Sequence, residues 1–285
     1  MTFESVINNI AQQLNRPDIS KLEGIEKFDK TKKLLEENPI LLVLDNMETS
    51  QESQDKIVSK LLPLLGSSKT LLTSRHRLSD SDNTQIYSKN LIGLKKEAAL
   101  RLIRDTARQK QLPQEILNAH DDYFEEVIHT IGGTEFGYIP MALKFVTGQL
   151  EIFDSKIIAD RLRQVDLFDK DGKISMKPDK YQQFWNEIFI SSSGLLEEID
   201  EKVLVGINCF QPEVGSSFDL IQETIRFDLR ELMNSILKVW KLSFLERRII
   251  KQDNMDIQYK YYQHILSHSY VKEIAPIWEE SWNHE

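Results

Sequence analysis

The sequence predicts an α/β fold: part of a parallel sheet, then a helical subdomain, then helices and a hairpin in a winged-helix layout. Three observations predict it. Two short apolar runs, Ile40-Leu41-Leu42-Val43-Leu44 and Thr70-Leu71-Leu72-Thr73-Ser74, are separated by a helix-like segment. Strand, helix, strand in that order implies a βαβ unit and a parallel sheet. From Lys95 to Arg163 the apolar spacing is helical throughout. Near the end, Leu242–Arg248 and Ile257–Tyr262 read as two strands joined by Gln252-Asp253-Asn254.

In order along the chain, Phe3, Val6, Ile7, Ile10 and Leu14 fall at helical spacing, and Lys30–Asn38 also looks helical. The run Ile40–Leu44 ends in Asp45. Its lack of a polar face predicts a central strand covered on both sides. A helix over Glu52–Leu65 stops at Gly66, and the second strand ends in Arg75. A third strand is expected around Gln85–Ser88. Gly132-Gly133 interrupts the helical region, and Pro140 opens another helix, where proline is tolerated in the first turn. Asp171-Gly172 and Lys177-Pro178 are turn signals that mark a boundary. The expected domains are 1–90, 91–175 and 176–285.

Composition narrows the function classes. The 285 residues carry a net charge of −9, with 40% hydrophobic and 28% charged residues. That balance supports a packed core. It does not suit a nucleic-acid binder, which needs clustered Lys and Arg. From Tyr181 to Glu285 there are 10 Lys+Arg against 17 Asp+Glu, a net of −7. Cys209 is the only cysteine, so no disulfide framework forms, as suits a reducing cytoplasm. No apolar run reaches the roughly 20 residues of a membrane span, and the first residues do not read as a signal peptide.

Four separated motifs then occur in the order used by one ATPase family. Leu41-Leu42-Val43-Leu44-Asp45-Asn46-Met47-Glu48 resembles the acidic strand end of P-loop ATPases. Lys69-Thr70-Leu71-Leu72-Thr73-Ser74-Arg75 resembles their sensor strand. Ile139-Pro140-Met141-Ala142-Leu143 is similar to the "GLPL" segment, with Gly132-Gly133 upstream at a wider spacing than usual. Tyr262-Gln263-His264 resembles the histidine motif of the winged-helix domain, of which only the histidine carries over. Leu91–Leu94 with Glu97–Leu100, Trp240–Leu245 and Trp278 agree with the same pattern. Together these resemble the NB-ARC domain of bacterial STAND-class P-loop NTPases.

The resemblance implies a partial P-loop NTPase sheet and an ATP/ADP switch using Mg²⁺. Asp45 would hold the metal and Glu48 would serve as base, since the amide of Asn46 cannot take a proton from water. Arg75 would face the γ-phosphate, Pro140 would lie near the adenine, and His264 would meet the ADP β-phosphate. Taken alone, each residue has a plainer reading: Asp45 and Arg75 as strand ends, Pro140 as a first-turn proline, His264 as a satisfied core histidine. One departure is large. The phosphate loop G-x-x-x-x-G-K-[ST] does not occur, since Gly172-Lys173 is followed by Ile174. The expectation is that the sequence starts after that loop and binds nucleotide poorly. Partners would be the nucleotide, and protein partners or further copies engaged through effector and sensor segments. The competing readings are a winged-helix transcription regulator that binds DNA, and a decayed product without nucleotide activity. Two decoys fail. Asp169–Ile174 lacks acids at the first and last calcium-loop positions. The pair His264 and His268 has Ile265 where a zinc helix needs Glu.

Overall fold

A computed structural model describes residues 1–74, 76–79, 86–133, 137–164, 178–251 and 257–283. The chain divides into two compact units, Met1–Asn90 and Leu91–Glu285.

Unit 1 contains α1 (Phe3–Gln13), α2 (Pro17–Ser20), α3 (Gly24–Glu37), β1 (Leu41–Leu44), α4 (Gln54–Leu61) and β2 (Lys69–Leu72). Helix α1 starts where Thr2 and Ser5 form a capping box, which satisfies two of the unpaired first-turn donors. Helix α4 is shorter than expected, because a 3₁₀ turn at Leu62–Leu64 containing Pro63 ends it. Strands β1 and β2 pair in parallel, with Leu41 opposite Lys69 and Leu44 opposite Leu72. Residues Ile86–Ser88 carry no strand, and Gln85 lies outside the described residues.

The expectation that both faces of these strands are covered needs correction. Leu44 packs into a core with Val6, Ile7, Ile10, Leu35, Met47, Ile57 and Leu61. Because side chains alternate along a strand, Leu41, Val43 and Leu71 lie on the opposite face. They are 54–65% exposed.

Unit 2 begins with α5 (Lys96–Gln109), α6 (Gln114–Leu117), α7 (Asp121–Ile131), β3 (Gly132–Gly133), β4 (Gly137–Tyr138), α8 (Pro140–Gln149) and α9 (Ser155–Arg163). It continues with α10 (Pro178–Ser193), α11 (Glu198–Ile207), β5 (Ser216–Ser217), α12 (Phe218–Ile225), α13 (Leu229–Lys241), β6 (Glu246–Lys251), β7 (Ile257–Tyr262) and α14 (Ile265–Trp282). Strands β5, β7 and β6 form one antiparallel sheet in that order. Two details depart from the sequence reading. Leu242–Leu245 is not strand: Leu242 caps α13, and Ser243 takes a positive φ of 67°. The two-residue strand β5 carries too short a pattern to be read from the sequence.

Residues 91–285 share one core. Phe145 of α8 meets Phe189 of α10 edge-on at 4.9 Å, and Phe189 stacks on Tyr270 of α14 at 4.7 Å. The segments 91–175 and 176–285 thus contribute rings to the same cluster. Of the turn signals between them, Asp171-Gly172 and Lys177 lie outside the described residues, and Pro178 is the first residue of α10.

Candidate functional site

In unit 1 the candidate residues gather where the parallel strands end. Thr73 N–H donates to Leu44 O at 3.0 Å, which carries the pairing one residue past β2. Asn46 then turns back in the left-handed region, with φ 60° and ψ 48°, a conformation that asparagine tolerates better than most residues. The turn lets Met47 N–H donate to Thr73 O and Asn46 N–H donate to Thr73 Oγ1, both at 3.0 Å. The Thr73 hydroxyl in turn donates to Asp45 Oδ1. An exposed carboxylate therefore stands at the carboxyl edge of the sheet with its rotamer held by the neighbouring strand. Glu48 lies three residues on, half-buried, in the 3₁₀ turn Met47–Thr49.

The segment after β2 is tied to α4. Gln54 Nε2 donates to His76 O and Arg77 O, each at 3.1 Å, and Ser74 Oγ donates to Gln54 Oε1 at 2.7 Å. Ser79 bonds Asp55 through both its N–H and its hydroxyl. Arg75 itself lies outside the described residues. Asp45 and Glu48 lie three residues apart on the turn that follows β1. The sequence reading assigned no role to Thr73 or Gln54. The sequence carries no signal for that role of Thr73, which follows from its register, one step past the Leu44–Leu72 pair.

Among the described residues no group of three or more His, Cys, Asp or Glu side chains is placed to hold a metal. A closed all-protein site is therefore lacking there. Mg²⁺ needs less, because it keeps waters and takes one or two carboxylates beside substrate phosphates. The exposed, braced Asp45 fits that requirement.

In unit 2, Pro140 is exposed at the first position of α8. The backbone before it is tightly threaded. Leu94 and Tyr138 exchange two backbone hydrogen bonds at 2.9 Å. A Cβ on Gly93 would lie 2.5 Å from Tyr138 N, so no larger residue fits there without displacing backbone.

His264 caps α14: its Nδ1 accepts from Leu266 N–H at 3.2 Å. Its Nε2 lies 3.8 Å from Glu213 Oε1, which also accepts from Ile265 N–H at 3.1 Å. Burial pushes the imidazole below its ordinary pKa, against the pull of Glu213 and Glu246. One turn after Pro140, Lys144 Nζ donates to Glu246 Oε1 at 2.6 Å, and Tyr262 OH donates to Glu246 Oε2 at 3.2 Å. These bonds tie the Pro140 helix to the strand that precedes His264. The sequence reading singled out neither Glu213 nor the Lys144–Glu246 pair. His268 is committed elsewhere, with Nε2 3.0 Å from Asn208 O.

Among the described residues Lys110 is a strongly perturbed cation. It is buried, and its ammonium donates to Trp240 O at 3.1 Å, to Lys241 O and to the Ser243 hydroxyl. It thereby satisfies carbonyls left open at the end of α13. Burial pushes it down to about 7, with Glu246 and Glu151 raising it and Lys144 lowering it.

No protein-family model matches the chain, and no curated protein matches it. Among solved structures, it is similar to a Walker-type ATPase of Pyrococcus abyssi at 14% identity and a TM-score of 0.36. That alignment covers 94% of this chain and 77% of the other. No helix among the described residues is long and apolar enough to cross a membrane.

Proposed function

We propose that the chain is a regulatory ATP/ADP switch module of the NB-ARC kind, in which the carboxyl edge of β1 and β2 takes Mg²⁺ and nucleotide phosphate. One observation carries the reading: Asp45 and Thr73 end adjacent parallel strands and are hydrogen-bonded to each other. Asp45 would hold the ion, and Thr73 would fix the carboxylate's orientation. Bound Mg²⁺ supplies positive charge against the β- and γ-phosphate oxygens. Glu48 would accept the proton of an attacking water, a role the amide of Asn46 cannot fill. Arg75, Pro140 and His264 are proposed as the γ-phosphate, adenine and β-phosphate contacts. His264 suits its part as a hydrogen-bond donor, because Nδ1 already accepts and Nε2 therefore carries the proton.

The C-terminal helices and three-stranded sheet would form a winged-helix domain that contacts protein rather than DNA. The arginines that a DNA reader would use are engaged within the fold. The Arg247 guanidinium lies 4.1 Å from the Trp240 ring centre and 5.0 Å from that of Tyr259. Arg248 covers Tyr262 and donates to Val214 O at 2.9 Å. Arg248 thus uses a donor within the fold that a phosphate contact, the dominant source of DNA affinity, would need.

Titration of ADP, observed by NMR with Mg²⁺ and again with EDTA, tests the proposal. The sequence has no phosphate loop to cradle the nucleotide, so binding near ~1 mM, about −4 kcal/mol, is expected. It should require Mg²⁺ and disappear in Asp45→Asn. Binding that ignores both the ion and the substitution, or is sub-micromolar, contradicts it.

A further inference from the structure

The outer flank of α13 and the β6–β7 hairpin form a surface that the nucleotide reading does not use. Helix α13 is held at its start by Asp228, whose carboxylate accepts from Arg230 and Glu231 N–H. It buries Leu232, Ser235, Ile236, Val239 and Trp240. Leu229, Met233 and Leu237 lie at successive four-residue steps and remain exposed. Residues three and four apart share a helix face, so this stripe runs up to Trp240. The Arg247 guanidinium lies over Trp240 and reaches the Tyr259 ring. Tyr259 pairs with Ile249 across the hairpin, so those two side chains share a sheet face. Met233, Leu237, Ile249 and Tyr259 are 37–55% exposed. Exposed apolar side chains thus stand on α13 and on the hairpin, and the Arg247 guanidinium bridges the two elements through Trp240 and Tyr259. Among the described residues no carboxylate pairs with Arg247.

We propose that this surface docks an amphipathic helix of a partner protein, with a carboxylate of that helix seated on Arg247 among its apolar residues. The inference is independent of the nucleotide site. Charge complementarity selects the occupant. The guanidinium is already oriented by two rings, so it meets a carboxylate with little further loss of freedom. Aromatic and arginine side chains at the centre of an apolar patch are the composition of binding hot spots. A second copy fits worse, because two-fold pairing centred on the patch sets Arg247 against its own counterpart. DNA fits worse too, since leucine and methionine offer no donor or acceptor to base edges.

Selection of random peptides displayed on phage against the full chain tests this, with an enriched peptide then synthesised and titrated by fluorescence anisotropy. The expected peptides carry Asp or Glu between apolar residues spaced three or four apart. Met233→Glu should abolish their binding. Arg247→Met, which still covers Trp240 but removes the charge, should weaken it about tenfold or more. Unchanged circular dichroism of both variants shows that the fold is intact, and Leu237→Glu replaces either one that misfolds. No enrichment, a basic consensus, or binding indifferent to Met233→Glu overturns the proposal. A dimer dissolved by Met233→Glu in sedimentation overturns it in favour of a second copy, and a duplex-DNA shift lost in Arg247→Met overturns it in favour of nucleic acid.

Discussion

The two units treat apolar side chains differently. In unit 2 the rings of Phe145, Phe189, Phe244 and Tyr270 close on one another from four parts of the chain. In unit 1 the two-stranded sheet buries one face and leaves Leu41, Val43 and Leu71 in the open. The same residue types thus contribute to stability in one unit and, among the described residues, remain uncovered in the other. An apolar run in a sequence says that a strand is suited to cover, not that the cover is present.

The largest effect that separates the two units is expected at Phe189. Phe189→Ala removes a ring that contacts four others and should cost about 3–5 kcal/mol in urea unfolding. Replacing Leu41, Val43 and Leu71 with Ser, Thr and Ser should cost about 0.5 kcal/mol or less at each site and reduce self-association in sedimentation. A comparable loss from both sets would erase the distinction. Gly93→Ala should fall between them, at about 1–3 kcal/mol, because its methyl meets backbone 2.5 Å away.

A smaller effect concerns pH. Lys110 is pushed down to about 7 from 10.5, and His264 is also lowered. For a base lowered on folding, the unfolded chain binds more protons between the two pKa values, so stability rises with pH across that window. Unit 2 should therefore gain stability from about pH 7 towards 10.5, with a slope no greater than about 1.4 kcal/mol per pH unit. Lys110→Met should flatten the slope even though it orphans the carbonyls of Trp240 and Lys241. An unchanged slope in that variant would assign the dependence to other groups.

Much of the architecture was legible because it rests on periodicity. The strand ends at Asp45 and past Leu72, the proline that opens α8 and the hairpin pairing all follow from local patterns. The departures come from terms with no local signature. Ser243 lies outside the strand at a positive φ, and its hydroxyl accepts from the ammonium of Lys110, 133 residues away in the chain. Coverage of a strand face is decided by packing partners distant in sequence. Thr73 was legible as a strand residue but not as the donor that holds Asp45, since that depends on register between β1 and β2. His264 was legible as a candidate, but its use of Nδ1 as a helix cap follows from the start of α14 and not from its apolar neighbours.

The braced carboxylate of Asp45 at the strand ends is the centre of the proposed ion site. Paramagnetic relaxation by Mn²⁺, used in place of Mg²⁺ with ADP present, tests it most directly. Wild type should bind the ion–nucleotide pair, Thr73→Ser should retain it, Thr73→Val should weaken it, and Asp45→Asn should lose it. Equal relaxation in wild type and Asp45→Asn would contradict the assignment of this edge as the ion site.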